Sequence, residues 1–227
     1  MMQKYLAVKQ NYKDCILFFR LGDFYEMFWE DAIIASRDMD VVLTKKACGE
    51  EEKAPMCGVP YHAVDTYLAR LLEHGHKVAI AEQMEDPALA KGIVERQVIR
   101  VVTPGTVISQ NMLSEKENNF LCSIFLQGND SGISWADIST GEFFAMQLKD
   151  DPTHDKLLSQ LVKIAPHEII TDASEEEAPW LWEQQAYFDK LLISVPQGDL
   201  FDAGCCLESL TAHYGRNTLK AKGLTEE

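Results

Sequence analysis

The chain changes its habit once, at Thr103-Pro104-Gly105-Thr106. A Pro-Gly pair continues neither a helix nor a strand. Residues 107–118 that follow are polar and lack any hydrophobic period. Before the break, strand-like and helix-like runs alternate. After it, three strand-like runs follow one another. That contrast predicts two α/β units in one chain, at residues 1–103 and 119–227, joined by a linker over 104–118. A length of 227 residues suffices for two small cores.

In the first unit, residues 2–11 read as a short helix with Tyr5 and Val8 on one side, and CILFFRLG (15–22) reads as a buried strand. Residues 24–36 read as a helix with Phe24, Phe28, Ala32 and Ile33 on one face. VVLT (41–44) reads as a short strand. Residues 45–60, with two lysines, the GEEEK run and two prolines, read as loop. An amphipathic helix over 63–74 uses Leu68, Leu71 and Leu72, and the strands KVAIAEQ (77–83) and VIRVVT (98–103) complete a small sheet.

The second unit opens as an antiparallel meander of 120–127, 132–140 and 142–149. Asn129-Asp130-Ser131-Gly132 and Thr140-Gly141 are the expected turns. A helix near 154–164, the strand EIIT (168–171) and a Trp-rich helical stretch at 179–186 follow.

Charge and cysteine usage bound the function. No apolar run reaches the length of a membrane span, and the start lacks a signal-peptide pattern, so the chain reads as soluble and cytoplasmic. The formal net charge is −15, unevenly spread: residues 1–110 carry −3 and residues 111–227 carry −12. Neither half is the basic face of a self-sufficient nucleic-acid binder. The spacing of the six cysteines matches no zinc knuckle, so they read as reduced thiols, and the scattered histidines suggest no metal site.

The most informative stretch is Leu21-Gly22-Asp23-Phe24-Tyr25-Glu26-Met27-Phe28. Gly22 can open a tight turn, and Asp23 is a good N-cap for a helix carrying Phe24 and Glu26 in its first turn. An aromatic there can project beyond the domain. Taken alone, the pattern also suits a core Phe beside a Glu favoured by the helix dipole.

The stretches FFRLGDFYEMFWEDA (18–32), LTKK (43–46), PMCGVPYHAVDTYLARL (55–71), VAIAEQMEDP (78–87) and VERQVIRVVTPGT (94–106) occur in one order and spacing. Together they resemble the mismatch-recognition domain of the bacterial MutS family, and DISTGEF (137–143) resembles the start of that family's connector domain. The likeness covers essentially the whole chain and loosens after about residue 150. It implies a small mixed-sheet α/β mismatch-recognition domain followed by an RNase H-like α/β connector.

The resemblance implies that Phe24 is a wedge for the DNA minor groove and that Glu26 contacts the mispaired base. It places Leu21 beside the wedge and makes Lys45, Lys46 and Arg96 candidate phosphate or groove contacts. Tyr61 and His62 read as structural. The implied partners are mismatched double-stranded DNA and, through the connector, MutL, in a homodimeric parent associated with the nucleoid. No Gly-x-x-x-x-Gly-Lys-Ser/Thr loop occurs in the chain. The resemblance implies a longer parent carrying a downstream ATPase with ATP and Mg. This chain is expected to be its N-terminal fragment, to need no cofactor or metal, to catalyse nothing and to bind DNA weakly alone. The rival reading is a metal-dependent RNase H-like nuclease centred on Asp137, for which no partner carboxylates assemble from the sequence.

Overall fold

A computed structural model describes residues 1–48, 53–84, 95–108, 118–188, 190–196, 198–221 and 223. In the first unit, apolar alternation in both directions produces a sheet covered on two faces. Its elements are α1 (Met2–Lys9), β1 (Cys15–Leu21), β2 (Phe24–Phe28), α2 (Trp29–Met39), β3 (Thr44–Ala47), β4 (Lys53–Pro60), α3 (Val64–Glu73), β5 (Lys77–Gln83) and β6 (Arg96–Val102). The strand order is β3-β4-β2-β1-β5-β6, with only β1 and β5 parallel.

One face packs Ile16, Phe18, Tyr25 and Met27 against Ala32, Ala35 and Met39 of α2 and Leu68, Leu71 and Leu72 of α3. The other packs Leu17, Phe19, Phe28, Ala79 and Ala81 against Tyr5 of α1. A buried carboxylate pins α1 in place. Asp31 accepts hydrogen bonds from Tyr5 Oη at 2.7 Å, Lys9 Nζ at 2.7 Å and the Leu17 amide at 3.0 Å. Burial, then the Asp31 charge, pushes the Tyr5 hydroxyl far above its usual pKa, so it stays a donor.

Three expectations are corrected here. Residues 24–28 form a strand, and the helix begins only at Trp29. Phe24 and Phe28 are four apart, which places them on one side of a helix and equally on one side of a strand. That spacing could not decide between the two. A two-residue Gly22-Asp23 turn, with Gly22 at φ +59°, joins β1 to β2 instead of capping a helix. The stretch 45–60 holds β4 and all of β3 but Thr44, while 41–43 of the expected strand is not strand. Residues 49–52 of that expected loop, and 85–87 and 94 of the segments that carry the resemblance, lie outside the described residues.

The second unit is a sheet of β7 (Phe120–Gln127), β8 (Asp130–Asp137), β9 (Glu142–Leu148), β10 (Glu168–Thr171) and β11 (Leu192–Ser194). Its order is β11-β10-β7-β8-β9: an antiparallel meander extended by two parallel strands, the RNase H-like arrangement. The first turn falls at Gly128-Asn129, earlier than expected, because Gly128 takes the positive φ of +61° and β8 already begins at Asp130. Helices α4 (Asp155–Ile164) and α5 (Pro179–Trp182) cover one face through Leu157, Leu161, Ile164 and Leu181. Helix α6 (Ala203–Tyr214) meets the other, where Tyr214 stacks on Phe143; α7 (Arg216–Ala221) follows it.

Residues 109–117 of the expected linker lie outside the described residues. Its first residues are ordered against the second sheet. Pro104–Thr106 form a 3-10 turn with a capping box between Thr103 and Thr106. Buried Glu168 accepts from Thr103 Oγ1 at 2.5 Å and the Gly105 amide at 3.1 Å. A Cβ on Gly105 would meet the Glu168 side chain at 2.8 Å, so a glycine is required for this approach. Burial raises the Glu168 carboxyl above its usual range, against the pull of those two donors.

Candidate nucleic-acid interface

The β1–β2 hairpin carries the site. Along β2 the residues alternate, with Tyr25 and Met27 in the core beneath α2 and α3 and Phe24 and Glu26 on the α1 face. The α1 face is closed where Phe28 packs against Tyr5 and opens toward the turn. Phe24 is therefore a large aromatic side chain 47% exposed at a hairpin tip, while Phe28, four residues on, is 1% exposed.

The register gathers most of the sequence candidates around Phe24. Leu21 is its direct cross-strand partner, and Phe19 pairs with Glu26. Residues directly opposite in a ladder share a face, so Leu21 and Phe24 form one apolar patch. Glu26 is joined to Lys46 by an ion pair with Nζ–Oε2 of 2.5 Å. Lys46 Nζ also lies 5.7 Å from the Phe28 ring centroid. On the other flank, Arg96 donates from Nε to the Arg20 carbonyl at 3.2 Å and sits 5.5 Å from the Phe19 centroid. Burial lowers the Arg96 pKa, which at guanidinium values leaves it charged.

Lys45 does not join this group. Lys45 pairs with Pro55 and Lys46 with Ala54, so strand alternation sends the two lysines to opposite faces. Reading 45–60 as loop hid this separation. Tyr61 supports the hairpin tip: its amide donates to the Asp23 carbonyl at 2.9 Å, and the His62 ring meets the Tyr61 ring edge to face.

Sequence reasoning missed Arg20 and Glu82. Tyr25 Oη donates to Glu82 Oε1, and Arg20 lies 3.6 Å from the same oxygen. Burial, then Glu82, raises the Tyr25 hydroxyl to about 12. The available signal was a single charge inside the otherwise uncharged strand CILFFRL.

The second unit offers no comparable site around Asp137. Its carboxylate accepts from the Asn119 amide at 3.0 Å, from Ser139 N and Oγ at 2.9 and 2.6 Å, and from Thr140 N at 3.3 Å. Burial opposes the charge, but these donors hold the carboxyl below its usual range. Asp137 builds the turn into β9. Among the described residues no group of three or more His, Cys, Asp or Glu could hold a metal ion, and no helix is long and apolar enough to cross a membrane.

Comparison with known proteins gives two family matches along the chain. Residues 1–111 match the family described as MutS domain I, and residues 119–227 match MutS domain II. The chain is 49% identical over 219 residues to the DNA mismatch repair protein MutS of Ruminiclostridium cellulolyticum, covering 96% of this chain and 25% of that protein. It is 42% identical over 226 residues to that of Lachnoclostridium phytofermentans, covering 100% of this chain and 24% of the relative. For Clostridioides difficile the identity is 58% over 170 residues, 75% of this chain and 18% of the relative. The chain thus spans about a quarter or less of the length of these curated relatives.

Proposed function

The chain belongs to the MutS family through both of these domains, and from that premise we propose that its first domain recognises mispaired or unpaired bases in duplex DNA by inserting Phe24 into the minor groove. The observation that carries this reading is the exposed Phe24 ring at the tip of a hairpin whose remaining aromatics are packed. An apolar wedge that enters the minor groove unstacks a base step and kinks the duplex. The cost is a few kcal/mol and is lowest where pairing is already faulty. Mismatch is then read as local deformability, with no base sequence code.

Glu26 lies two residues along the same face and places a carboxylate beside the wedge. Intact duplex brings phosphate charge toward it and is disfavoured. A mispaired base that offers a hydrogen bond offsets that cost. Lys46 and Arg96 flank the pair on the same face and are suited to phosphate. Such a small cationic set gives limited grip, so strong binding depends on the rest of a full-length protein. In that protein we assign mismatch repair initiation, a downstream ATPase using ATP and Mg, homodimerisation and relay to MutL through the second domain. The strongly acidic half from residue 111 suits a protein partner better than DNA.

The test compares affinities for matched and singly mismatched duplexes in the full-length protein. Phe24→Ala removes a stacking contact worth about 1–3 kcal/mol, so mismatch preference is expected to collapse while thermal stability is retained. Undiminished preference in Phe24→Ala would refute the wedge.

A further inference from the structure

The hairpin that presents Phe24 is tied down from behind. Arg20 pairs with Tyr25 in the ladder, which turns its side chain to the face opposite Phe24. Arg20 Nε donates to the Gly22 carbonyl at 2.5 Å. Its guanidinium lies 3.8 Å from the Tyr61 ring centroid and 5.5 Å from that of Tyr25. Glu82, 3.6 Å away, balances its charge.

The Asp23 carbonyl is held by the Tyr61 amide at 2.9 Å. Both carbonyls of the two-residue turn are therefore held, one by the Arg20 side chain and one by the backbone that follows β4. Among the described residues, nothing lies within 4 Å of where a Gly22 Cβ would be, so these two hydrogen bonds are well placed to set the angle of the turn.

We infer that Arg20 is a positioning residue for mismatch recognition: it fixes the Gly22-Asp23 turn from the face that DNA does not reach, and so sets the angle at which Phe24 enters the groove. This rests on the reading of Phe24 as the wedge. A ring must slot between base pairs within a fraction of an ångström to regain the cost of unstacking. A tip free to tilt loses that match and bears the ordering cost on binding. Matched DNA, gripped through phosphates, has no such requirement. A planar guanidinium that both hydrogen-bonds a carbonyl and stacks on a tyrosine is not replaced by an ammonium.

The experiment measures matched and singly mismatched duplex binding by the full-length protein carrying Arg20→Met, Tyr61→Leu or Phe24→Ala, with thermal melting of each. Arg20→Met is expected to lower mismatch preference by about tenfold while matched-duplex affinity stays within about twofold, because only the supporting contacts of the wedge are lost. Tyr61→Leu leaves Arg20 in place but removes its stacking surface. It is expected to lower the preference by about threefold, which keeps the test open should Arg20→Met fold poorly.

Equal losses for both duplexes, with a shallower salt dependence, would make Arg20 a phosphate contact and overturn the inference. So would an unchanged preference in a folded Arg20→Met or Tyr61→Leu protein. If Phe24→Ala abolishes the preference and the other two do not, this inference alone fails. If Phe24→Ala keeps the preference, the wedge reading fails.

Discussion

Two carboxylates sit beside hairpin turns in this molecule, and they are used in opposite ways. Asp137, before the β8–β9 turn, is enclosed by four donors within 3.3 Å and is 2% exposed. Glu26, behind the β1–β2 turn, is paired among the described residues with the Lys46 ammonium alone and stands next to an exposed aromatic. The first is buried and both its oxygens are engaged in building the turn. The second is held by one cation that phosphate can compete for. A strand, a turn and a carboxylate are common to both, and the number of satisfied acceptor positions separates scaffold from candidate site.

That contrast can be broken most forcefully at Asp137. Asp137→Ala strands the buried Asn119 amide and unties the turn, and is expected to cost about 2 kcal/mol of stability, read as a lowered melting temperature, with mismatch preference intact. A lost preference at unchanged stability would erase the distinction. Its pH dependence sharpens the point. The folded carboxyl is held below the unfolded value of about 3.9. Its contribution is therefore present above that pH and lost as pH falls through the lower folded value. The stability gap between the wild type and Asp137→Asn should narrow between pH 6 and pH 3, as followed by thermal melting.

Glu26→Gln is the matching change at the other turn. Removing a partly exposed charge worth about 0.5–1 kcal/mol is expected to raise matched-duplex affinity about two- to fivefold, with little effect on melting. Unchanged matched-duplex binding in a titration would count against the repulsion. Smaller still is the effect of Lys46→Met, which should weaken both duplexes evenly and reduce the salt slope by about one. Lys45→Met, on the opposite face, should alter neither binding nor slope. Equal slopes for the two variants would show that strand alternation does not govern which lysine meets DNA.

These outcomes depend on which features the sequence could show. The buried strands at β1, β5 and β7, and helices α3 and α4, were legible because their apolar periods are unambiguous. Strand β2 was not, since a Phe every fourth position suits both periods and only pairing with β1 and β4 decides. The β3–β4 pair was hidden by Lys45, Lys46, Pro55 and Pro60, residues that suit loops and are tolerated in these strands. The site was legible as a set of residue types, and the resemblance carried their roles. Which of them share a face was not, because that follows from the hairpin register. Arg20 went unnoticed because its work lies behind the probe, in contacts with Gly22, Tyr61 and Glu82 that are remote in sequence or made to backbone.

The central claim is that one ring opens a base stack where pairing is weakest. A fluorescent base analogue placed beside a single mispair reports this directly, because its emission rises when the stack opens. Binding of the wild-type full-length protein is predicted to brighten the probe beside a mispair and not in matched duplex, and Phe24→Ala is predicted to bind without brightening it. Equal brightening by the two proteins at saturation would contradict the account.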